Sequence, residues 1–314
     1  MRCFLAIAIM LTALTASAKE EKTYIFGSSA GWIPWGPINV ANIKGFWKEQ
    51  GLNVQVQERN EYNDTLNAVK QKRVDFVLIM FGNAIEMINE GSDLALLYEH
   101  DWSDGGDQFI VSNKIESTVK SGKDLGAALK GQKIGIYSIN AATGYFLQRV
   151  TDKIGLKIKD VEQRQLSRPE LLGKVLSNNT FAAAIIFDPI ASQVVAEKKG
   201  VLKFTTADFP GVMPEGICVK KSLYNSMDKE DVVKFLKGWF KALAWVKDPA
   251  NKAEYYKILN QTTLAVYGKK EGYSEAEILD LAKGGKVHYE KTAILERQKA
   301  IPEFTKGVIN YMSA

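Results

Sequence analysis

Gly27-Ser28-Ser29-Ala30-Gly31 places a serine in the G-x-S-x-G spacing of a nucleophile elbow, directly after a run, Thr23–Phe26, that reads as a strand. An elbow must pass straight from strand into helix so that the hydroxyl stands on a sharp turn. Here Trp32-Ile33-Pro34-Trp35 intervenes, so hydrolysis through Ser29 is the catalytic alternative with its context missing. The two histidines, His100 and His288, and the two cysteines, Cys3 and Cys218, form no H-E-x-x-H and no thiol pair. Zinc needs three or four ligands at usable spacing. No G-x-x-x-x-G-K-[ST] or G-x-G-x-x-G phosphate cradle is present either. The residues point to a protein without catalytic centre, metal or cofactor.

Polar and aromatic residues instead gather where strands end. Trp32 and Trp35 follow the first strand, and Asn83 follows a strand ending at Met80. His100-Asp101-Trp102-Ser103-Asp104-Gly105-Gly106-Asp107 reads as a loop before Gln108. Ser138-Ile139-Asn140-Ala141-Ala142-Thr143 leaves another strand and opens a helix, and Phe187-Asp188-Pro189 repeats the move one unit later. Ligands of open α/β sheets bind beyond the carboxyl ends of the strands, where such loops converge. A helix start offers free N–H groups to a polar or anionic group, with Ser138, Asn140 and Thr143 adding hydroxyl and amide bonds. Trp35 offers a flat wall, and Asp101, Asp188 and Glu215 can meet a cationic or N–H-rich group. Each has a plainer reading as well: Ser138, Asn140 and Asp188 as helix caps, Trp32 and Trp35 as packing.

The elements that must position these residues alternate short apolar runs with amphipathic stretches, the α/β pattern. The expected strands include Val74–Met80, Leu94–Tyr98, Gln108–Val111, Lys133–Tyr137, Phe181–Phe187 and Ile217–Lys220. Helices are expected from Pro37 to Gly51, over Lys229–Val246, from the Ser274-Glu275-Ala276-Glu277 capping box, and over Ile301–Met312. Asp208-Phe209-Pro210-Gly211 and Met213-Pro214-Glu215-Gly216 read as a punctuated link. The chain thus falls into one βα block, a second βα block and a helical tail, with crossings near Ser112 and Gly211 and a cleft between the blocks.

With 314 residues, 46% hydrophobic and 25% charged, the chain has room for about two domains with real cores. Its net charge of +5 comes from 41 bases against 36 acids, a mixed surface without the basic stripe of a nucleic-acid binder. Arg2, the apolar Phe4–Leu14 and Ala16-Ser17-Ala18 read as a cleaved export signal over 1–18. Removal of Cys3 with it leaves Cys218 without an intrachain partner.

Taken together, Gly31-Trp32-Ile33-Pro34-Trp35, Ala41-Asn42-Ile43-Lys44-Gly45-Phe46-Trp47, Gly51-Leu52-Asn53-Val54, Val74-Asp75-Phe76, Asp101-Trp102-Ser103, Gly105-Gly106-Asp107, Lys133-Ile134-Gly135-Ile136 and Phe187-Asp188-Pro189 stand in a characteristic order. In this the chain resembles the periplasmic solute-binding proteins of the nitrate/sulfonate/taurine and thiamine-pyrimidine-precursor superfamily, components of ABC importers. The resemblance implies a two-lobed α/β periplasmic-binding-protein fold of type II, with 19–111 plus 217–314 as lobe 1 and 112–216 as lobe 2. It implies a monomer that captures a small molecule by lobe closure and delivers it to an inner-membrane permease, without nucleic-acid partners. The ligand-facing positions it implies are Trp35, Asn83, Asp101, Ser103, Ser138, Asn140, Thr143 and Asp188. None of these loops carries an arginine, and the cysteine-rich motif of the pyrimidine-synthase relatives is absent. An amine, amide or pyrimidine-like solute therefore suits the loops better than a sulfonate held by a guanidinium fork. A sulfonate-type binder, the Ser29 hydrolase and a ligand-sensing module are the alternatives.

Overall fold

The computed structural model describes residues 22–313 except 121, 138–140, 167–168 and 288–290. The export signal, Ser138, Asn140 and His288 therefore lie outside the described residues.

Two mixed sheets carry the fold. The first contains β1 (Thr23–Ser29), β2 (Asn53–Arg59), β3 (Phe76–Met80), β4 (Ala95–Ser103), β10 (Pro214–Val219) and β11 (Gly285–Val287), in the order β11-β4-β10-β3-β1-β2. The second contains β5 (Asp107–Val111), β6 (Lys133–Ile136), β7 (Glu162–Gln165), β8 (Ala183–Phe187) and β9 (Val201–Thr205), in the order β7-β6-β8-β5-β9. The parallel strands arise from βα crossovers, whereas β10 and β5 run antiparallel to their neighbours. Each of these two strands directly follows a crossing between the sheets.

The first crossing lies at 104–106, not beyond Val111. β5 pairs with β8 and β9, so it belongs with the second sheet. The expected loop over 100–107 is also corrected, because β4 runs on through Ser103. Its polar residues suggest a loop in isolation, but β10 on one side and β11 on the other satisfy its backbone. Of the expected link at 213–216, Pro214-Glu215-Gly216 is likewise strand. Pro214 is tolerated as the first residue of β10. Gly216 sits at a register shift where a Cβ would come within 2.9 Å of Glu99 Cα. The short β11, in a tail expected to be wholly helical, completes the edge of the first sheet.

The two sides have different cores. Around the first sheet, the Phe76 and Phe235 rings stack at 3.9 Å, and Trp47 stacks on Phe235 at 5.7 Å while donating its indole N–H to the Phe235 carbonyl. Phe235 comes from helix Lys229–Lys247, whose start is capped by Asp228. Around the second sheet the core is mainly aliphatic, built from residues such as Ile134, Ile136, Leu172 and Ile185. Helix Lys291–Met312 runs ten residues longer at its start than the expected Ile301–Met312 and contains Pro302. It joins the two sides. Phe304 and Val308 are buried beside Phe81, and Tyr145 of helix Ala141–Lys153 meets Phe304 at 5.8 Å.

Candidate functional site

The strand ends of the two sheets face each other. Helix Phe81–Asn89 leaves β3 and helix Ala141–Lys153 follows β6, and their first turns touch. Gly82 permits this approach, because a Cβ there would lie 2.7 Å from Ala142 Cα. Beside the start of helix Phe81–Asn89 lies a group of buried polar side chains.

Its centre follows from register. Glu215 on β10 pairs with Asp101 on β4, and directly opposed residues project to one face with Cβ atoms roughly 5 Å apart. Both side chains are buried. Trp32 Nε1 donates to Asp101 Oδ2 at 3.0 Å. Asp101 Oδ1, Glu215 Oε2, Trp35 Nε1 and Asn83 Nδ2 are buried with no partner in hydrogen-bonding geometry among the described residues. Burial raises the Asp101 carboxyl above its ordinary range, opposed by the Trp32 bond. Burial and then the neighbouring Asp101 and Asp107 raise Glu215 further, so the pair favours a shared proton.

The second sheet adds Asp107 at the start of β5. Tyr137 donates its hydroxyl to Asp107 Oδ1 at 2.7 Å, and burial pushes the Asp107 carboxyl up to about 6. The same Tyr137 hydroxyl lies 3.9 Å from Met80 Sδ, across the boundary between the sheets. Tyr62, at the start of helix Tyr62–Lys70, donates to Asn83 Oδ1 at 2.9 Å, accepts from the Met80 N–H, and meets the Trp35 ring at 6.2 Å. Burial raises both tyrosine hydroxyls well above the usual range. They remain neutral donors beside the acids. No lysine or arginine among the described residues pairs with Asp101, Asp107, Asp188 or Glu215. No group of three His, Cys, Asp or Glu among the described residues has metal-binding geometry.

The expected residues divide. Trp35, Asn83 and Asp101 come together with Glu215. Thr143 is buried in the first turn of helix Ala141–Lys153. Ser103 instead serves the crossing: its hydroxyl meets Thr206 Oγ1 at 2.8 Å and accepts from the Asp107 N–H. Asp188 has a capping role, with its Oδ1 accepting from Ser192 N and Oγ at 2.9 and 2.7 Å and from Gln108 Nε2 at 3.2 Å. Ser29 is the last residue of β1, and its buried hydroxyl bonds Thr65 Oγ1 at 2.6 Å, so no elbow forms. Tyr62 and Tyr137 stand in no motif of the sequence, and Asp107 stands there only as part of Gly105-Gly106-Asp107. A tyrosine directly beyond the Lys133–Ile136 strand was the available signal for Tyr137.

Among the described residues, no helix is long and apolar enough to cross a membrane. The alkanesulfonate-binding protein SsuA from Xanthomonas axonopodis pv. citri has the same fold, with a TM-score of 0.65 at 17% identity, covering 91% of this chain and 93% of that one. The nitrate-binding protein NrtA from Synechocystis PCC 6803 superposes with a TM-score of 0.61 at 16% identity, covering 85% and 76%. The fold is that of periplasmic binding proteins. The Bacillus subtilis protein YtlA is 23% identical over 295 residues, 87% of this chain and 84% of its own length. The sequence model of the NMT1-like family matches residues 26–260, which hold the first sheet apart from most of β1's opening residues and β11, and all of the second sheet. The chain belongs to the NMT1-like family.

Proposed function

We infer that this protein is a periplasmic solute-binding protein, not an enzyme, which closes its two lobes on a small polar, nitrogen-containing organic molecule and delivers it to an ABC-type importer. The lobes are the two sheets with their helices, and the chain crossings at 104–106 and 206–213 act as the hinge. One observation carries the ligand class: acids from both sheets, Asp101 and Glu215 on one side and Asp107 on the other, are buried at the lobe boundary without a basic side chain among the described residues. Buried acceptors of this kind call for N–H donors. Trp32, Trp35, Tyr62 and Tyr137 supply flat apolar surface beside them, the combination common to small-molecule sites.

SsuA and NrtA are named for sulfonate and nitrate, which are anions. Their ligands would meet uncompensated carboxyls here, so an anionic ligand is disfavoured. Native mass spectrometry of gently purified protein, followed by a thermal-shift screen of amines, amides, pyrimidines and sulfonates, tests the reading. A ligand that binds only the folded state adds about 2.7 kcal/mol at a hundredfold excess over Kd. Amines, amides or pyrimidines are expected to raise Tm, and Asp101→Asn to remove most of the shift. Stabilisation by sulfonates alone would overturn the ligand class and leave the binding-protein assignment standing.

A further inference from the structure

We propose that the ligand is an organic cation whose positive charge replaces the proton shared between Asp101 and Glu215, so that capture releases a proton to solvent. This rests on the solute-binding reading above and names the charge of the solute. The strand register sets the two carboxyls side by side. Like charges directly opposed in a sheet are destabilising, and buried charges are normally paired. A fold that needed only packing at this point would have an apolar pair.

From β4, Glu99 is taken by Arg297, whose Nε donates to it at 2.8 Å. His100 Nε2 lies 2.6 Å from the Pro34 carbonyl oxygen, away from the acids. From the loop after β1, Trp32 gives one N–H to Asp101, and Trp35 brings a buried indole N–H close to both carboxyls without completing a hydrogen bond. From β5, Asp107 adds a third acid, held by the Tyr137 hydroxyl. Tyr62 faces the group from helix Tyr62–Lys70, and Asp188 stands beyond Asp107. Among the described residues these neighbours bring neutral donors and more acid, and the nearby cations Arg297 and Lys286 engage Glu99 and the Trp102 ring instead. Apart from the proton the pair shares, Asp101 Oδ1 and Glu215 Oε2 receive no bond of full hydrogen-bonding geometry among the described residues.

The exchange balances. The acid pair with one proton carries a single negative charge. When a cation binds, the proton leaves to bulk water, and two carboxylates then face one positive ligand in charge-assisted hydrogen bonds. A planar amidinium with N–H groups on both nitrogens and an aromatic ring for the tryptophans has the required features, so benzamidine is the probe. Its neutral and anionic counterparts of similar shape are benzamide and benzenesulfonate.

Isothermal titration of the full mature chain at pH 6 and pH 8, in two buffers of different ionisation enthalpy, tests the exchange. Benzamidine is expected to bind about a hundredfold more tightly at pH 8 than at pH 6, with close to one proton released per ligand. Glu215→Gln is expected to abolish the proton release, and a protonated-carboxyl infrared band that persists at pH 8, above the range in which Asp107 titrates, should be absent in that variant. The infrared band is read on unliganded protein and so reports the shared proton even if a variant binds poorly. Benzamide binding as tightly as benzamidine, or pH-independent binding of benzamidine without proton release, overturns the cation assignment and leaves a nitrogenous ligand in place. Benzenesulfonate binding overturns both readings. Failure of all three probes to bind, or absence of the infrared band, also overturns the cation assignment, whereas the screen for nitrogenous ligands decides the broader reading separately.

Discussion

Glu99 and Asp101 stand two residues apart on β4, both fully buried, and the fold treats them in opposite ways. Glu99 receives a bond from Arg297 Nε at 2.8 Å, and that guanidinium also lies 4.3 Å from the Trp102 ring centroid. Gly211, in the second crossing, leaves room for the same arginine, because a Cβ there would lie 2.9 Å from its Nη2. Asp101, by contrast, is opposed across the ladder by another acid. A buried charge that the chain neutralises itself reports on stability. One that the chain leaves beside a second acid reports on something the protein has to bind, or on a proton that it keeps.

The sharpest way to break that contrast is Arg297→Met. Removing one partner of a buried ion pair leaves an uncompensated charge and costs about 3–5 kcal/mol. Arg297 keeps some contact with solvent, so a loss of about 3 kcal/mol is expected in urea unfolding. Glu215→Gln replaces an acid that shares a proton with Asp101 by a neutral amide of similar shape and should not lower stability at pH 8. Equal losses in the two variants would mean that the two acids are not different in kind.

A smaller effect follows from pH. The Asp107 carboxyl is raised to about 6 from its ordinary 3.8. Between those values the folded state binds more protons than the unfolded one, so stability falls as pH rises through the window. Asp107 alone contributes a loss of about 1.4 kcal/mol between pH 5 and pH 8. Asp101 and Glu215, also raised by burial, act in the same direction. Urea midpoints of unliganded protein should therefore be higher at pH 5 than at pH 8, and Asp107→Asn should flatten the profile. A midpoint that rises with pH over this range would show that the buried acids are ionised in the folded protein.

The α/β order and the capping box at Ser274 were legible in the sequence because they rest on local pattern. The box closes as expected, with Ser274 N donating to Glu277 Oε2 at 2.8 Å. The strand character of Asp101–Ser103 and Pro214–Gly216 was not legible. Local residue preference there favours a turn, and only pairing of β4 with β10 overrides it. The partnership of Asp101 with Glu215 was hidden for the same reason, since register between strands more than a hundred residues apart has no local signature. Ser103 and Asp188 have residue types suited equally to ligand contact and to backbone bonding, and their partners in the structure are internal.

Asp188 lies between the two cases on β4 and gives the finest test of them. Burial raises its carboxyl, yet its Oδ1 is already bonded by Ser192 and Gln108. Asparagine can retain an acceptor for the Ser192 N–H while losing the charge, and the two residues cap about equally well. Asp188→Asn is therefore expected to change stability by less than about 0.5 kcal/mol, and Asp188→Ala to cost about 1 kcal/mol through the lost cap. If the carboxylate serves the helix alone, Asp188→Asn keeps the thermal shift given by a nitrogenous ligand, whereas Asp101→Asn loses it. A loss of that shift in Asp188→Asn, with stability unchanged, would place Asp188 with Asp101 as a charge left for the ligand and extend the acidic site from the first sheet well into the second.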